Sequence, residues 1–568
     1  MYALKTPSFL RPTSRPSSPA PPVRQDSAPV ADRPSFTSML SFPTFKRTAS
    51  PLVKSAATVV QDGSYMDVLN LKLSEAVTKA LNHPTGPGPA NELLNGRRPI
   101  PAGRGRALGE LIVSELNASC EDSYLHRAVI RTLRRPLSVL VNNMSTNLLP
   151  LISSSAFLLP AAPTQQNPNL NPTQLHAVAL ATFAGELVDV FDQNGLGQEA
   201  DSRGDGLRVT RDGLVSIVKR VIEPLMNAIR NEPMPHVEAL EKANNAMTLP
   251  SNAGVAAKSA GATKTLVHPS IVFMQSMVPI YSRAVARYAT SSISESMLTS
   301  LLLSLIWRGL VALSNRPNPT PSPPTSPALT AASVTLKVKD RKRRGSSETP
   351  PTTPPASRFT LKLPPSRPPS PPSLQSYKGS TAAGDARTLY DLMWSLPKPS
   401  ESNRLAFEAV MDAFDALSSL AALLDSVQAR LKSKVVADPN ELARDLEVVT
   451  VDCPTLVALP ILLRTYVFPV LSPAPALLSA EGTQLTERTV ASMLGLTEAV
   501  YRAGCISGFS RAEECTIAVG QRILAMLREE LAQVANANAN AVLKEAYVVL
   551  NWLEREIAIV SAEAAESH

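Results

Sequence analysis

Cysteine is scarce in this 568-residue chain. Cys120, Cys453, Cys505 and Cys515 are its four cysteines, and none sits in a C-x-x-C pair. That excludes a disulfide framework or a zinc ribbon and makes a reducing compartment the default. Aromatic residues are only 5% and glycines number 24, while alanine and leucine abound, a mixture that favours helices over strands. No Gly-Lys dipeptide occurs, so there is no P-loop, and G-x-G-x-x-G, H-E-x-x-H and kinase catalytic-loop patterns are missing too. The six histidines are scattered. No catalytic, cofactor-binding or metal-binding residue is assigned, and an enzyme is not expected.

Two segments imitate known sites. Gly508-Phe509-Ser510-Arg511-Ala512 has the outline of a nucleophile elbow, but that turn needs a strand before its serine, and helical patterns lie on both sides here. Ser510 is therefore read as the N-cap of a helix over 511–534. Asp201 to Asp212 has the layout of a calcium loop, with Asp at positions 1 and 5 and Gly206 at position 6. Arg203 and Arg208 stand where an oxygen ligand and an apolar residue belong, so a solvated inter-helix loop is expected at 201–212.

Long apolar runs are few. Residues 1–30 contain no uninterrupted one, so no secretory signal is read, and their prolines would break the amphipathic helix of a transit peptide. Met297–Ser314 and Cys453–Ser472 are the best candidates to span a membrane. Each carries an arginine (Arg308, Arg464), and buried core helices are expected instead.

Proline, by contrast, is plentiful and clustered: 26 of 51 lie in residues 1–56 and 316–372. Charge is equally uneven. Residues 1–56 carry +6 and residues 315–385 carry +8, so the net +8 of the chain leaves −6 for the remainder. A basic nucleic-acid-binding globule is disfavoured, whereas a basic arm is not. The expected organisation is a disordered Ser/Pro/Arg-rich arm (1–60), a helical region (61–314), a disordered basic Pro-rich insertion (315–386) and a second helical region (387–568). One core shared by the two helical regions is preferred to two independent domains.

Helical periodicity supports an all-α fold, an irregular multi-helix bundle or solenoid-like array interrupted by that insertion. Leu125, Val129, Leu133, Leu137, Leu140 and Met144 form one stripe between Ser123 and Met144, where Pro136 should kink or split the helix. A helix is expected near Gln174–Phe191, another over Asp212–Arg230, and a helical run over Pro269–Ser314. Ser402 is read as the cap of a long helix with Phe407, Val410, Phe414, Leu417, Ala421, Leu424 and Leu431 on one face. Asp438-Pro439 starts another. The stripes Ile517–Val534 and Leu543–Val560 predict an antiparallel hairpin, with a dimer seam as the alternative.

Function is expected from charge and short motifs. Arg127, Arg131, Arg134 and Arg135 fall on one helical face opposite the leucine stripe. That face suits phosphates, anionic lipid or an acidic partner, unless it is a solvated face paired with the acidic remainder of the fold. Lys337, Lys339, Arg341, Lys342, Arg343 and Arg344 fit a nuclear-import signal or polyanion tether. Ser/Thr-Pro pairs at Thr6, Ser18, Ser50, Thr320, Ser322, Ser326, Thr349, Thr353 and Ser370, with Ser346 behind two arginines, suggest phosphorylation that would weaken the basic cluster. Lys362-x-x-Pro365-x-x-Pro368 matches a basic PxxP ligand.

The leading expectation is a non-enzymatic scaffold or adaptor of the cytoplasm or nucleus, with protein partners and kinases, and with a homodimer as the alternative use of the C-terminal seam. The alternatives are a nuclear regulatory protein touching nucleic acid through its basic linker, and a peripheral membrane protein using the arginine face.

Overall fold

The structure, a computed structural model, describes residues 61–198, 207–242, 267–317, 380–433, 438–471, 488–535 and 541–566. These residues are all-α, with no strand among them. In chain order the helices are α1 (Gln61–Leu81), α2 (Arg104–Ala118), α3 (Ser123–Ile152), α4 (Ser155–Leu158), α5 (Pro172–Gln193), α6 (Arg208–Asn231), α7 (Met234–Glu238), α8 (Pro269–Tyr288) and α9 (Ser292–Asn315). They continue with α10 (Ala382–Trp394), α11 (Arg404–Ser433), α12 (Pro439–Val449), α13 (Thr455–Leu462), a π-helical segment Leu463–Val467, and α14 (Phe468–Leu471). The last are α15 (Val490–Met493), α16 (Glu498–Gly504), α17 (Phe509–Ala535) and α18 (Ala541–Glu566).

Two long, mostly buried apolar helices organise the packing. α5 is buried nearly all round and touches α2, α3, α6 and α9. α9 touches α5, α6, α7, α10, α11 and α13. Both are long and apolar enough to cross a membrane, and both are mostly buried inside the fold. One continuous cluster of buried side chains consequently runs from Leu69 to Ile557. The indole of Trp307 on α9 donates to the carbonyl of Ile506 (2.8 Å), adding a polar link across that cluster. Arg464 does the same at the C-terminus of α9, donating to the carbonyls of Ser314 (2.5 Å) and Asn315 (3.0 Å). A cation there complements the negative end of the helix dipole.

Several boundaries differ from the sequence reading. α3 is a single helix, not two: the Pro136 ring is buried, so packing offsets the backbone bond proline cannot make. The run expected over 269–314 breaks at Ala289–Ser291, where the Ser291 and Ser294 hydroxyls and backbone form a reciprocal cap. Ser510 lies inside the first turn of α17 rather than capping it, and the Gly508 carbonyl accepts from Ala512 N–H (3.0 Å). The long helix of residues 404–433 starts after Asn403, whose carbonyl accepts from Phe407, while Ser402 bonds to Ser400. Leu431 is exposed, beyond the end of its stripe. Asp438 does cap α12 through Asn440 N–H (3.3 Å), and Gly520 lets α17 close on Ile557 of α18, so the C-terminal seam is filled within the chain.

Chain segments 243–266 and 318–379 lie outside the described residues, and their roots converge. Arg316 Nη1 donates to Asp385 Oδ2 (2.5 Å), and its Nη2 donates to the carbonyl (3.2 Å) and hydroxyl (3.1 Å) of Ser380. His268 is buried in the field of that pair, and its Nδ1 accepts from Ser270 N–H (3.2 Å), capping α8. Burial, and then the Arg316 charge, hold the His268 pKa below its ordinary value. The unfolded chain therefore takes up this proton first as pH falls. The stability His268 contributes is present above about pH 6.5 and is lost as pH drops through its folded value. His176 on α5 is shifted the same way, again mainly by burial. His268→Asn, which keeps a capping acceptor, is expected to flatten the fall in urea midpoint between pH 7.5 and 5.5; an unchanged slope would contradict this account.

Candidate partner-docking face

α3 begins where Asp122 accepts from the N–H groups of Tyr124 (2.8 Å) and Leu125 (3.3 Å). Its 3/4 stripe then buries Val129, Leu133, Leu137, Leu140, Met144 and Leu148 against α1, α5 and α6. That burial fixes the opposite face outward. Arg127, Arg131, Arg134 and Arg135 are all exposed there, as are Tyr124 (81%) and Val139.

The electrostatics of this face set it apart. α3 contains no Asp or Glu in thirty residues, so no intrahelical ion pair is available. About half of the other described arginines meet a carboxylate, among them Arg211 with Asp192 (2.7 Å), Arg430 with Asp445 (2.5 Å), and Arg502 with Glu241 (2.6 Å) and Glu498 (2.9 Å). Arg127, Arg131 and Arg135 have no carboxylate partner among the described residues. They also stand in the N-terminal half of α3, where the helix dipole does not favour cations. Neither helix stability nor intramolecular pairing accounts for them. The guanidinium groups of Arg127, Arg131 and Arg135, over about 12 Å of helix, can offer forked donors to a row of carboxylates or phosphates.

Of the other expected sites, Ser18, Ser50, Ser322, Ser326, Ser346, Thr349, Thr353 and Ser370 lie outside the described residues. So do Lys337, Lys339, Arg341, Lys342, Arg343 and Arg344. Only residues 207–212 of the calcium-loop-like segment are described: Leu207 is buried, and Asp212 pairs with Arg208 (3.7 Å) on α6. Among the described residues, no three His, Cys, Asp or Glu side chains gather as a metal would need.

The sequence reading counted Arg316 with the basic insertion, whereas it is buried against Asp385. It also missed Tyr124 and Val139. The absence of acids across 123–152 was a readable signal; exposure of those two was not, because it depends on which helices pack alongside. No known protein family, curated protein or solved structure matches the chain.

Proposed function

We propose that the protein is a non-enzymatic helical scaffold that docks an acidic protein partner on the arginine face of α3. The observation that carries this reading is the clustering of Arg127, Arg131 and Arg135 on one exposed face, without internal carboxylates, on a helix that contains no Asp or Glu. The Pro-rich segments, with Ser/Thr-Pro sites and the basic cluster Lys337–Arg344, would add kinase-controlled docking in the cytoplasm or nucleus. Peripheral membrane binding is less favoured on a specific ground. The leucine stripe of α3 is already used in the core, so beyond the isolated Tyr124 and Val139 side chains only charge is left to hold a bilayer, and one polybasic patch without a second anchor binds weakly.

The test is a nuclease-treated native purification of the tagged chain, beside Arg127→Glu/Arg131→Glu/Arg135→Glu and a deletion of residues 320–372. That deletion spares the buried Arg316 and Ser380. Nuclease-resistant partners are expected with the wild type and to drop tenfold or more with the charge reversal. Partners lost only with the deletion would move docking to the insertion, and partners lost to nuclease would favour nucleic-acid contact.

A further inference from the structure

The turn between α16 and α17 brings two thiols together. Cys505 caps α16, donating its N–H to the Tyr501 carbonyl (2.8 Å), and Cys515 lies on the second turn of α17. The Cys515 Sγ donates to the Gly504 carbonyl (3.7 Å), which also accepts from Arg511 Nε (2.7 Å), so the Cys515 sulfur lies beside the residue that directly precedes Cys505. Both are half-buried, within reach of a small molecule.

The flanks are fixed independently. Trp307 holds the Ile506 carbonyl and packs its ring against Phe509 (4.6 Å between centroids), and Arg502 is pinned by Glu241 and Glu498. The fold around them therefore holds the Cys515 sulfur at the backbone next to Cys505, the proximity that a disulfide between the two requires.

We propose that Cys505 and Cys515 are an oxidant-responsive pair that closes to an intramolecular disulfide with a hydroperoxide. One thiolate attacks the peroxide, breaking the O–O bond, releasing water after protonation, and becoming a sulfenic acid. The second sulfur displaces that hydroxyl as water; the S–S bond forms and the S–O bond breaks. Two thiols lose two protons and two electrons, and one hydrogen peroxide becomes two waters.

The charged and titratable neighbours are Tyr501, Arg511 and Glu514. Burial, and then Cys515, push the Cys505 thiol above its ordinary pKa, while Arg511 pulls the other way. Burial keeps the Tyr501 phenol neutral. Closure should therefore speed up as pH rises from 7 to 8.5, when more thiolate forms.

The full chain, treated with hydrogen peroxide and blocked with an alkylating agent, is digested with trypsin without reductant. Cleavage after Arg502, Arg511 and Arg522 puts the two cysteines on separate peptides. The expected result is one linked pair, about 2 Da lighter than the two thiol peptides together and released by reductant. Cys120, which is exposed, and Cys453, which is buried with its pKa pushed up to about 12, are internal controls.

Cys505→Ser and Cys515→Ser should each abolish the link and leave a sulfenic acid that dimedone traps, with helix content by circular dichroism unchanged. Separately oxidised peptides in the wild type, or linkage mainly to Cys120, would overturn the proposal.

Discussion

Asp385→Ala is expected to cost the fold about 3–5 kcal/mol, because it strands a buried guanidinium. The Arg316 and Asp385 side chains are 4% and 3% exposed, and the Ser380 hydroxyl bridges them by accepting from Arg316 and donating to Asp385 Oδ2 (3.0 Å). Arginine does not shed its proton to escape burial, so the alanine variant must expose the site, draw in water or unfold. Replacing both partners by apolar residues, as in Arg316→Met/Asp385→Leu, removes the charge along with its partner and should cost far less than the single change. Urea unfolding of the two variants at pH 7 separates these cases. A single-variant loss below about 1 kcal/mol would mean the pair is hydrated, as exposed pairs are.

Gly105→Ala should rank beside it, at about 3 kcal/mol, for a different reason. Its Cβ would lie 2.2 Å from the Phe183 carbonyl oxygen and 3.0 Å from the Glu186 Cβ. The nearest atom is helix backbone, so no side chain can swing aside, and α2 must lift off α5. That displacement also breaks an unusual cap. The buried Glu186 carboxylate accepts the N–H groups of Gly103 (2.6 Å), Gly105 (3.0 Å) and Arg106 (3.4 Å), standing as an anion at the positive end of α2. Glu186→Ala leaves those donors unmatched without any clash and should cost about 2 kcal/mol. Thermal and urea unfolding of both variants would show the order; an alanine at 105 with wild-type stability would contradict this packing.

What the sequence made legible was whatever repeats locally. The stripe of α3 and the hairpin seam through Leu524, Leu527 and Leu531 rest on 3/4 spacing, and the residues named from it are buried or nearly so. The Asp438 cap was readable for the same reason, since its partner is two residues away. Interactions set by distant chain were not readable. Arg316 and Asp385 are 69 residues apart, and each looked like one more charge in a basic, proline-rich stretch. Glu186 meets the N-terminus of α2 across some eighty residues. Cys505 and Cys515 are ten residues apart across a turn, a spacing with no motif value until that turn is folded. The break between α8 and α9 was hidden because Ser291 and Ser294 make a cap out of residues that also suit a helix interior.

The arginine face stands between these cases. Its side chains share one face because of helical spacing, but whether acids elsewhere neutralise it is a question of tertiary placement, and for Arg127, Arg131 and Arg135 none does among the described residues.

The most direct measurement is the affinity of the wild-type chain and of Arg127→Glu/Arg131→Glu/Arg135→Glu for a purified partner, at low and physiological salt. The account predicts binding at least tenfold weaker in the variant, with a flattened salt dependence and unchanged helix content. Equal affinity of the two proteins at both salt concentrations would contradict it.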